Sequence, residues 1–417
     1  MHIKKIRVTN FKSFKDLEIE LGRFNVIIGA NASGKSNLVQ IFKFLRDTTI
    51  YGLDNAISMQ GGVDYLRNIN IGSSKELSLE IVSDLEYGKI ISHAKEREGL
   101  GVRTFETVYK MALGFKKNGR EYEIIEDKIT QRFKIIRLGI KGKNIEEKEI
   151  IGKGWIILSH TKGRIKIDSF NISEGIPINK NDIIPQFILE ERLDPQSPLI
   201  ILFPLLRIPL FFNKTSICDF DPRMPKRATT MTGKAEIEED GSNLAIVLKN
   251  ILEDREKRRK LFNLITNILP FVNNMGVEKL ADKSLLFKIE EIYTKKGNFL
   301  PASSISDGTI NVTALIVALY FERKWMTIIE EPERDIHPYL ISKVVEMMKD
   351  ASRNKQVIIT THNPEIVKYA GLENILLVSR DRDGFSIITK PSMHKEVKIF
   401  LKNELGIEDL FIQNLLG

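Results

Sequence analysis

Eight residues near the amino terminus, Gly29-Ala30-Asn31-Ala32-Ser33-Gly34-Lys35-Ser36, follow the spacing G-x-x-x-x-G-K-[ST]. The chemistry of that spacing is phosphate binding. Its glycines let successive backbone N–H groups turn onto phosphate oxygens, and a helix starting directly afterwards adds the partial positive charge of its N-terminus. Asn31, Ala32, Ser33 and Gly34 would line the cradle, with Asn37 closing the stretch. Lys35 would reach the β- and γ-phosphates of a nucleoside triphosphate, and the Ser36 hydroxyl would ligate magnesium.

Two later segments carry groups that act on such a ligand. Met326-Thr327-Ile328-Ile329 reads as a buried strand ending in Glu330-Glu331-Pro332-Glu333. A carboxylate at the end of such a strand holds the magnesium shell, the role given to Glu330, and the next one polarises the attacking water, the role given to Glu331. Gln356-Val357-Ile358-Ile359-Thr360-Thr361 is a second buried strand, ending at His362-Asn363-Pro364. An imidazole delivered there would hydrogen-bond the γ-phosphate and the water. Lys35, Glu331 and His362 are the expected catalytic set, and Ser36 with Glu330 the expected metal ligands. Between the first loop and these strands lies Ser304-Ile305-Ser306-Asp307-Gly308-Thr309, which leads into an apolar helix from Ile310 to Tyr320. In isolation it reads as a helix cap. In this order, Ser306, Gly308 and the helix N-terminus form a second anion site that the chain's own phosphate loop does not need.

These groups must be positioned by an α/β core. Phe24-Asn25-Val26-Ile27-Ile28 reads as the buried strand feeding the phosphate loop, and Leu38, Val39, Ile41, Phe42, Phe44 and Leu45 have helical spacing behind it. Residues 2–8 and 15–21 read as paired strands around the turn Asn10-Phe11-Lys12-Ser13-Phe14. From Glu76 to Phe170 the pattern shifts to short alternating segments, such as Leu77-x-Leu79-x-Ile81 and Ile165-x-Ile167. Turn signals at Asn118-Gly119, Lys141-Gly142 and Lys162-Gly163 separate them. Helical spacing returns between Ser242 and Leu269, with Arg255, Lys257, Arg258, Arg259 and Lys260 on the polar side, either a basic surface or a solvated face balanced by Glu253, Asp254 and Glu256. The chain thus divides by sequence into 1–90, 91–195 (a β-rich extension), 196–295 (a helical arm) and 296–417.

Composition narrows the class. The net charge of +8 over 417 residues favours an anionic partner, nucleic acid included, with Lys226, Arg227, Lys257, Arg258 and Arg259 as candidate contacts. A single cysteine excludes intrachain disulfides and cysteine-based metal clusters, in keeping with a reducing cytoplasm. The most apolar run, Pro198 to Phe212, is too short to span a bilayer and is interrupted by Pro204, Arg207 and Pro209, so no membrane association is expected.

Asn10-Phe11-Lys12-Ser13-Phe14, the phosphate loop, Ser306-Asp307-Gly308-Thr309, Ile329 to Glu333 with His337-Pro338, and Thr360 to Pro364 together resemble the ABC-type ATPases of the SMC, RecF and OLD kind. Among these the chain is similar to the stand-alone predicted AAA-family ATPases related to OLD. Asp240-Gly241-Ser242-Asn243-Leu244 and the ending from Gly406 to Gly417 add to that likeness. The resemblance implies a P-loop head with a mixed sheet, a β-rich first lobe and a helical arm inserted before the signature. It implies ATP and Mg²⁺ as ligands, and a head-to-tail homodimer with two ATPs between the copies. Each phosphate loop would then face the partner's Ser306-Asp307-Gly308, Asp335 would lie on the loop crossing the seam, and Lys12 would lie near the nucleotide. It further implies an ATP-driven clamp acting in DNA maintenance or in anti-phage and mobile-element defence, with a separately encoded nuclease or other effector. An ATP-stabilised scaffold with negligible turnover is the alternative.

Departures from the pattern bear on this reading. Thr309 replaces the glutamine of transporter signatures and argues against a transporter subunit. Gln60 lies at a plausible distance for the glutamine loop, but a loop amide before Gly61-Gly62 reads more simply as a turn residue. Asp381-x-Asp383 reads as a hairpin turn, and Asp219-x-Asp221 lacks a partner glutamate motif, so neither is expected to form a nuclease centre. Only some 55 residues follow His362, too few for a Toprim nuclease domain.

Overall fold

Period-two burial builds one half of the protein and continuous burial the other. The computed structural model describes residues 2–84, 86–93, 98–116, 121–141, 144–201, 212–397 and 406–416. Most of the apolar run 198–212, the turn Asn118-Gly119, Gly142 and the terminal Gly417 lie outside the described residues. Two units emerge, each discontinuous in sequence: Met1–Gly22 with Asn37–Asn213 and Arg380–Ile388, and Arg23–Ser36 with Lys214–Ser379 and Thr389–Gly417.

The first unit is organised by an antiparallel sheet. Ile3–Phe11 pairs with Phe14–Glu20 on one side and with Leu77–Ser83 on the other; Glu98–Phe115, Tyr122–Lys141, Asn144–Thr161 and Arg164–Ile172 then follow in order. Leu77–Ser83 alternates between buried and half-buried residues, as its sequence predicts. The segments beyond it are not short. Three of them are strands of 18, 20 and 18 residues. Register shifts at Thr104/Glu106, Ala112/Leu113, Ile135/Ile136 and Ile157/Leu158 explain why they read as fragments. Each shift inserts a residue and reverses which face the next side chain meets, so the alternation breaks although the strand continues.

In the second unit Thr215–Cys218, Met326–Glu330, Gln356–Thr361, Phe24–Ile28 and Ile375–Arg380 lie in that spatial order, all parallel. Phe24–Ile28 and Gln356–Thr361 are buried at every position, the signature of parallel strands covered on both faces. The covering helices include Asp307–Tyr320, buried without a break from Thr309 to Leu319, and Pro338–Ala351. A smaller antiparallel sheet of Val272–Lys279, Ser284–Glu291, Thr229–Thr230 and Leu300–Pro301 completes the unit. The helical spacing between Ser242 and Leu269 forms two helices, Leu244–Glu253 and Arg255–Ile268. Asp254 divides them: its side chain accepts the Glu256 and Lys257 N–H groups and starts the second helix, a cap whose loss typically costs about 1 kcal/mol. Among the described residues no helix is long and apolar enough to cross a membrane.

Lys355 closes the far end of the helix that begins at Asp307. Its Nζ donates to the Ala318 and Glu322 carbonyls at 3.2 and 3.1 Å, satisfying acceptors at the helix C-terminus. Burial pulls its pKa from 10.5 down to about 8, with Glu322 opposing the shift. The unfolded chain therefore binds more protons than the folded one between pH 8 and 10.5, and stability rises with pH across that window. Denaturation of wild type and Lys355→Met at pH 8 and pH 10 checks this. The wild-type chain should gain stability relative to the variant on going to pH 10; an unchanged difference would contradict a buried ammonium.

Candidate functional site

The phosphate loop leaves strand Phe24–Ile28 through Gly29, whose φ of 153° and tight surroundings exclude a side chain: a Cβ there would lie 2.3 Å from the Val378 carbonyl oxygen. Ala32 and Gly34 follow with φ of 61° and 117°. These positive φ values curl the chain so that backbone N–H groups can point inward, the geometry of an anion nest. Lys35 begins the helix Lys35–Tyr51, and its Nζ donates back across the loop to the Gly29 and Ala30 carbonyls at 2.7 and 3.0 Å. Burial lowers its pKa, while Glu331 and Glu333 act in the opposite direction.

Strand Met326–Glu330 pairs with Gln356–Thr361, which pairs with Phe24–Ile28, so the three chain exits lie side by side. Ser36 Oγ donates to Glu330 Oε2 at 3.2 Å. A hydroxyl from the first turn of a helix and a carboxylate at a strand end are hard oxygen donors of the kind magnesium takes, so these residues fit the ion. Glu331 turns out of the sheet with φ of 47°, and its N–H donates to the Thr360 carbonyl at 2.9 Å. A non-glycine residue in this region is uncommon and costs roughly 1–3 kcal/mol, which the surrounding contacts must offset. Its Oε1 lies 2.9 Å from His362 Nδ1 and its Oε2 lies 3.4 Å from the Arg334 guanidinium. The sequence-predicted base and histidine are thus in direct contact.

Some groups were not anticipated. Glu333 is buried, accepts the Thr361 hydroxyl at Oε1, and has no hydrogen-bond partner at Oε2 among the described residues. Burial raises its pKa. Thr361 Oγ1 in turn accepts the Asn363 N–H at 2.9 Å, fixing the turn that carries His362. Asn311 donates to the Pro332 and Arg334 carbonyls at 3.3 and 2.6 Å. The third acid of Glu330-Glu331-Pro332-Glu333 was a visible signal for Glu333. Nothing local marked Asn311, which lies inside an apolar helix.

The signature segment belongs to the same unit. Ser306 is the N-cap of the helix Asp307–Tyr320, its Oγ accepting the Thr309 N–H at 3.3 Å. Asp307 forms an ion pair with Lys226, which gives that lysine an intramolecular role not foreseen when it was grouped with the nucleic-acid contacts. Lys257 pairs with Asp254 at 3.5 Å, and the Arg258 guanidinium lies over the Phe262 ring. Asp335 has φ of 60°, and its carbonyl abuts Gly308.

Lys12, Asn37 and Gln60 belong to the first unit. There Lys12 Nζ donates to the Tyr65 carbonyl at 3.4 Å, Asn37 Nδ2 to Ser13 Oγ at 2.8 Å, and Gln60 Nε2 to Gln40 Oε1 at 3.1 Å. All three line a cavity of about 540 Å³ with Tyr65, Arg67 and Asn68. Asp381 accepts the Asp383 and Phe385 N–H groups at 3.0 and 2.8 Å, the turn that its sequence predicts. Among the described residues no group of three His, Cys, Asp or Glu side chains could hold a metal ion.

The sequence profile of the family described as "AAA domain, putative AbiEii toxin, Type IV TA system" matches residues 24–127 and 222–368. No curated protein matches the chain. Among solved structures it is similar to an SMC head bound to the C-winged helix domain of ScpA, at 15% identity and a TM-score of 0.50, covering 93% of this chain and 98% of that one. An SMC head domain from Thermotoga maritima matches at 13% identity and a TM-score of 0.43, covering 94% and 99% of the two chains. An SMC head with an extended coiled coil from Pyrococcus furiosus, bound to the C-terminal domain of ScpA, matches at 14% and 0.47, covering 97% and 100%. The fold is that of a P-loop ATPase head of the ABC type.

The contact between Gly308 and the loop after Glu331 has a measurable consequence. A Cβ on residue 308 would lie 2.4 Å from the Asp335 carbonyl oxygen, so Gly308→Ala must push the signature helix and that loop apart. The variant should lose about 1–3 kcal/mol in a denaturant titration. A wild-type midpoint would show that the two segments do not pack as described.

Proposed function

The chain belongs to the AAA-domain family whose description names a putative AbiEii toxin and a type IV TA system, and from that premise we propose that it binds and hydrolyses ATP. The observation that carries the proposal is the pairing, beside the carboxyl ends of parallel strands, of Ser36, at the start of its helix, with Glu330 and of His362 with Glu331. Ligands of open parallel sheets bind at the carboxyl ends of the strands, and here those ends carry the phosphate loop, a metal-type donor pair and a carboxylate–imidazole pair.

The division of labour follows from the groups. Asn31, Ala32, Ser33, Gly34, Lys35 and Ser36 would hold the triphosphate. Ser36 and Glu330 would hold Mg²⁺, which when bound supplies charge neutralisation at the phosphate oxygens. Glu331 would accept the proton of the attacking water, and His362, oriented by Thr361 and Asn363, would hydrogen-bond the water and the γ-phosphate. Lys35 would stabilise the charge growing on the transferred phosphoryl group. Ser306, Asp307 and Gly308 would complete the site of a second copy in a head-to-tail dimer, with Asp335 near the seam. ATP would then close the clamp and hydrolysis would loosen it. The exposed Ser306, at the start of a helix that the chain's own phosphate loop does not need, supports this reading.

Placement in the cytoplasm, kinship with stand-alone OLD-like ATPases, and contact of the helix Arg255–Ile268 with nucleic acid belong to the same proposal. The toxin named in the family description favours defence over DNA maintenance as the context, and a separately encoded effector, such as a nuclease, would receive the conformational signal.

Phosphate release by the purified chain with ATP and magnesium tests the chemistry. Glu331→Gln should lower the rate about 100-fold or more, as removal of a general base does, while retaining ATP binding and accumulating as a dimer. Equal, near-zero release by both proteins would favour the scaffold reading instead.

A further inference from the structure

The segment Asp219-Phe220-Asp221, set aside as a nuclease motif, has a different place in the unit. It follows strand Thr215–Cys218, which runs parallel to Met326–Glu330 with Cys218 beside Ile329. Arg334 reaches from the loop after Glu331 to this segment. Its Nη1 donates to the Phe220 carbonyl at 2.9 Å, and its Nη2 lies 3.0 Å from Asp219 Oδ1 and 3.4 Å from Glu331 Oε2. Glu331 is therefore held from two sides, by His362 on one oxygen and Arg334 on the other.

The contacts continue away from the site. Asp219 N–H donates to the Glu239 carbonyl at 2.8 Å and Asp221 N–H to the Asp240 carbonyl at 3.2 Å. The loop containing those carbonyls is tied by Asn243, whose side chain accepts the Glu238 N–H and donates to the Lys234 and Glu236 carbonyls. Asn243 immediately precedes helix Leu244–Glu253. An unbroken series of polar contacts thus runs from the start of the helical arm to the carboxylate of Glu331.

We propose that Arg334 is a positioning residue, a strut that sets the Glu331 carboxylate and couples it to the arm through Asp219 and the Glu239–Asp240 loop. The proposal rests on the reading of Glu331 as the general base. The chemistry of the side chain suits the task, because a guanidinium presents several donors in a rigid planar fork and can hold three acceptors at once. A lysine at the same position keeps the charge but not the fork.

Steady-state hydrolysis across ATP concentrations, with binding of a fluorescent ATP analogue measured in parallel, tests the strut on the full chain. Arg334→Ala should lower kcat roughly 10- to 100-fold, the scale of a misplaced reacting group. Its KM and analogue affinity should stay within about twofold of wild type, the pattern of a lost transition-state contribution. Arg334→Lys should recover part of the loss, Asp219→Asn should show a smaller fall in the same direction, and Arg334→Ala should add nothing to Glu331→Gln. Wild-type kcat in Arg334→Ala or Asp219→Asn, with Glu331→Gln inactive, would overturn the strut and leave the base assigned. A matching loss of analogue affinity would overturn it too, by showing general damage to the site. Should Arg334→Ala fail to fold, Arg334→Lys and Asp219→Asn decide between these outcomes. No difference between wild type and Glu331→Gln would overturn the base and the strut together.

Discussion

Parallel strand register is the constraint on which the candidate site depends. Glu330 lies beside Thr360, and Thr361 beside Ile28, so Gly29, Glu331 and His362 leave the sheet within a residue of one another. A slip of one residue in any strand would exchange its faces and remove the terminal side chain from the group. The register is in turn held by burial. Val26, Ile27, Ile28, Val357, Ile358 and Ile359 are all inaccessible to solvent, and each such side chain contributes about 1.5–3 kcal/mol relative to exposure. The hydrophobic core thereby fixes polar geometry to which it contributes no polar atom.

Beyond the sheet, the loop Glu331–Ile336 is shaped by several restraints acting together. It contains two non-glycine residues with positive φ, Glu331 and Asp335. Such strain persists only where neighbours over-determine the backbone. Here the Thr360 carbonyl takes the Glu331 N–H, Asn311 donates to two loop carbonyls, Glu333 accepts the Thr361 hydroxyl, and Gly308 packs against Asp335. Asn311 and Gly308 both lie on the signature helix, so the position of that helix and the conformation of the loop are not independent. In the proposed cycle this would let a contact made at Ser306 be felt at Glu331.

Much of this was legible in sequence, for physical reasons that differ between elements. The phosphate loop and the two acidic and histidine strands could be read because a fully buried parallel strand leaves an uninterrupted apolar run that ends abruptly in polar residues. Ser306 was legible as a cap because its chemistry is local. The long antiparallel strands were not, since bulges reset the alternation that reveals a strand. The division at Asp254 was not read, because apolar residues at helical spacing resume beyond it, on a face turned from that of the first helix. Arg334, Asn311 and the true setting of Asp219 depend on contacts across about 20 to 115 residues of sequence, and no local pattern reports a partner that distant. Neither does composition mark the passage of the chain between the two units at Ser36, inside a continuous helix.

The shared-site dimer can be separated from every one-copy mechanism by mixing two inactive chains, Lys35→Ala and Ser306→Arg, and measuring ATP hydrolysis. If each phosphate loop works with the partner's Ser306, a mixed dimer collects both defects in one site and leaves the other intact, so activity returns on mixing. Hydrolysis that stays absent in the mixture, with each variant folded and dimers able to exchange, would contradict the head-to-tail arrangement.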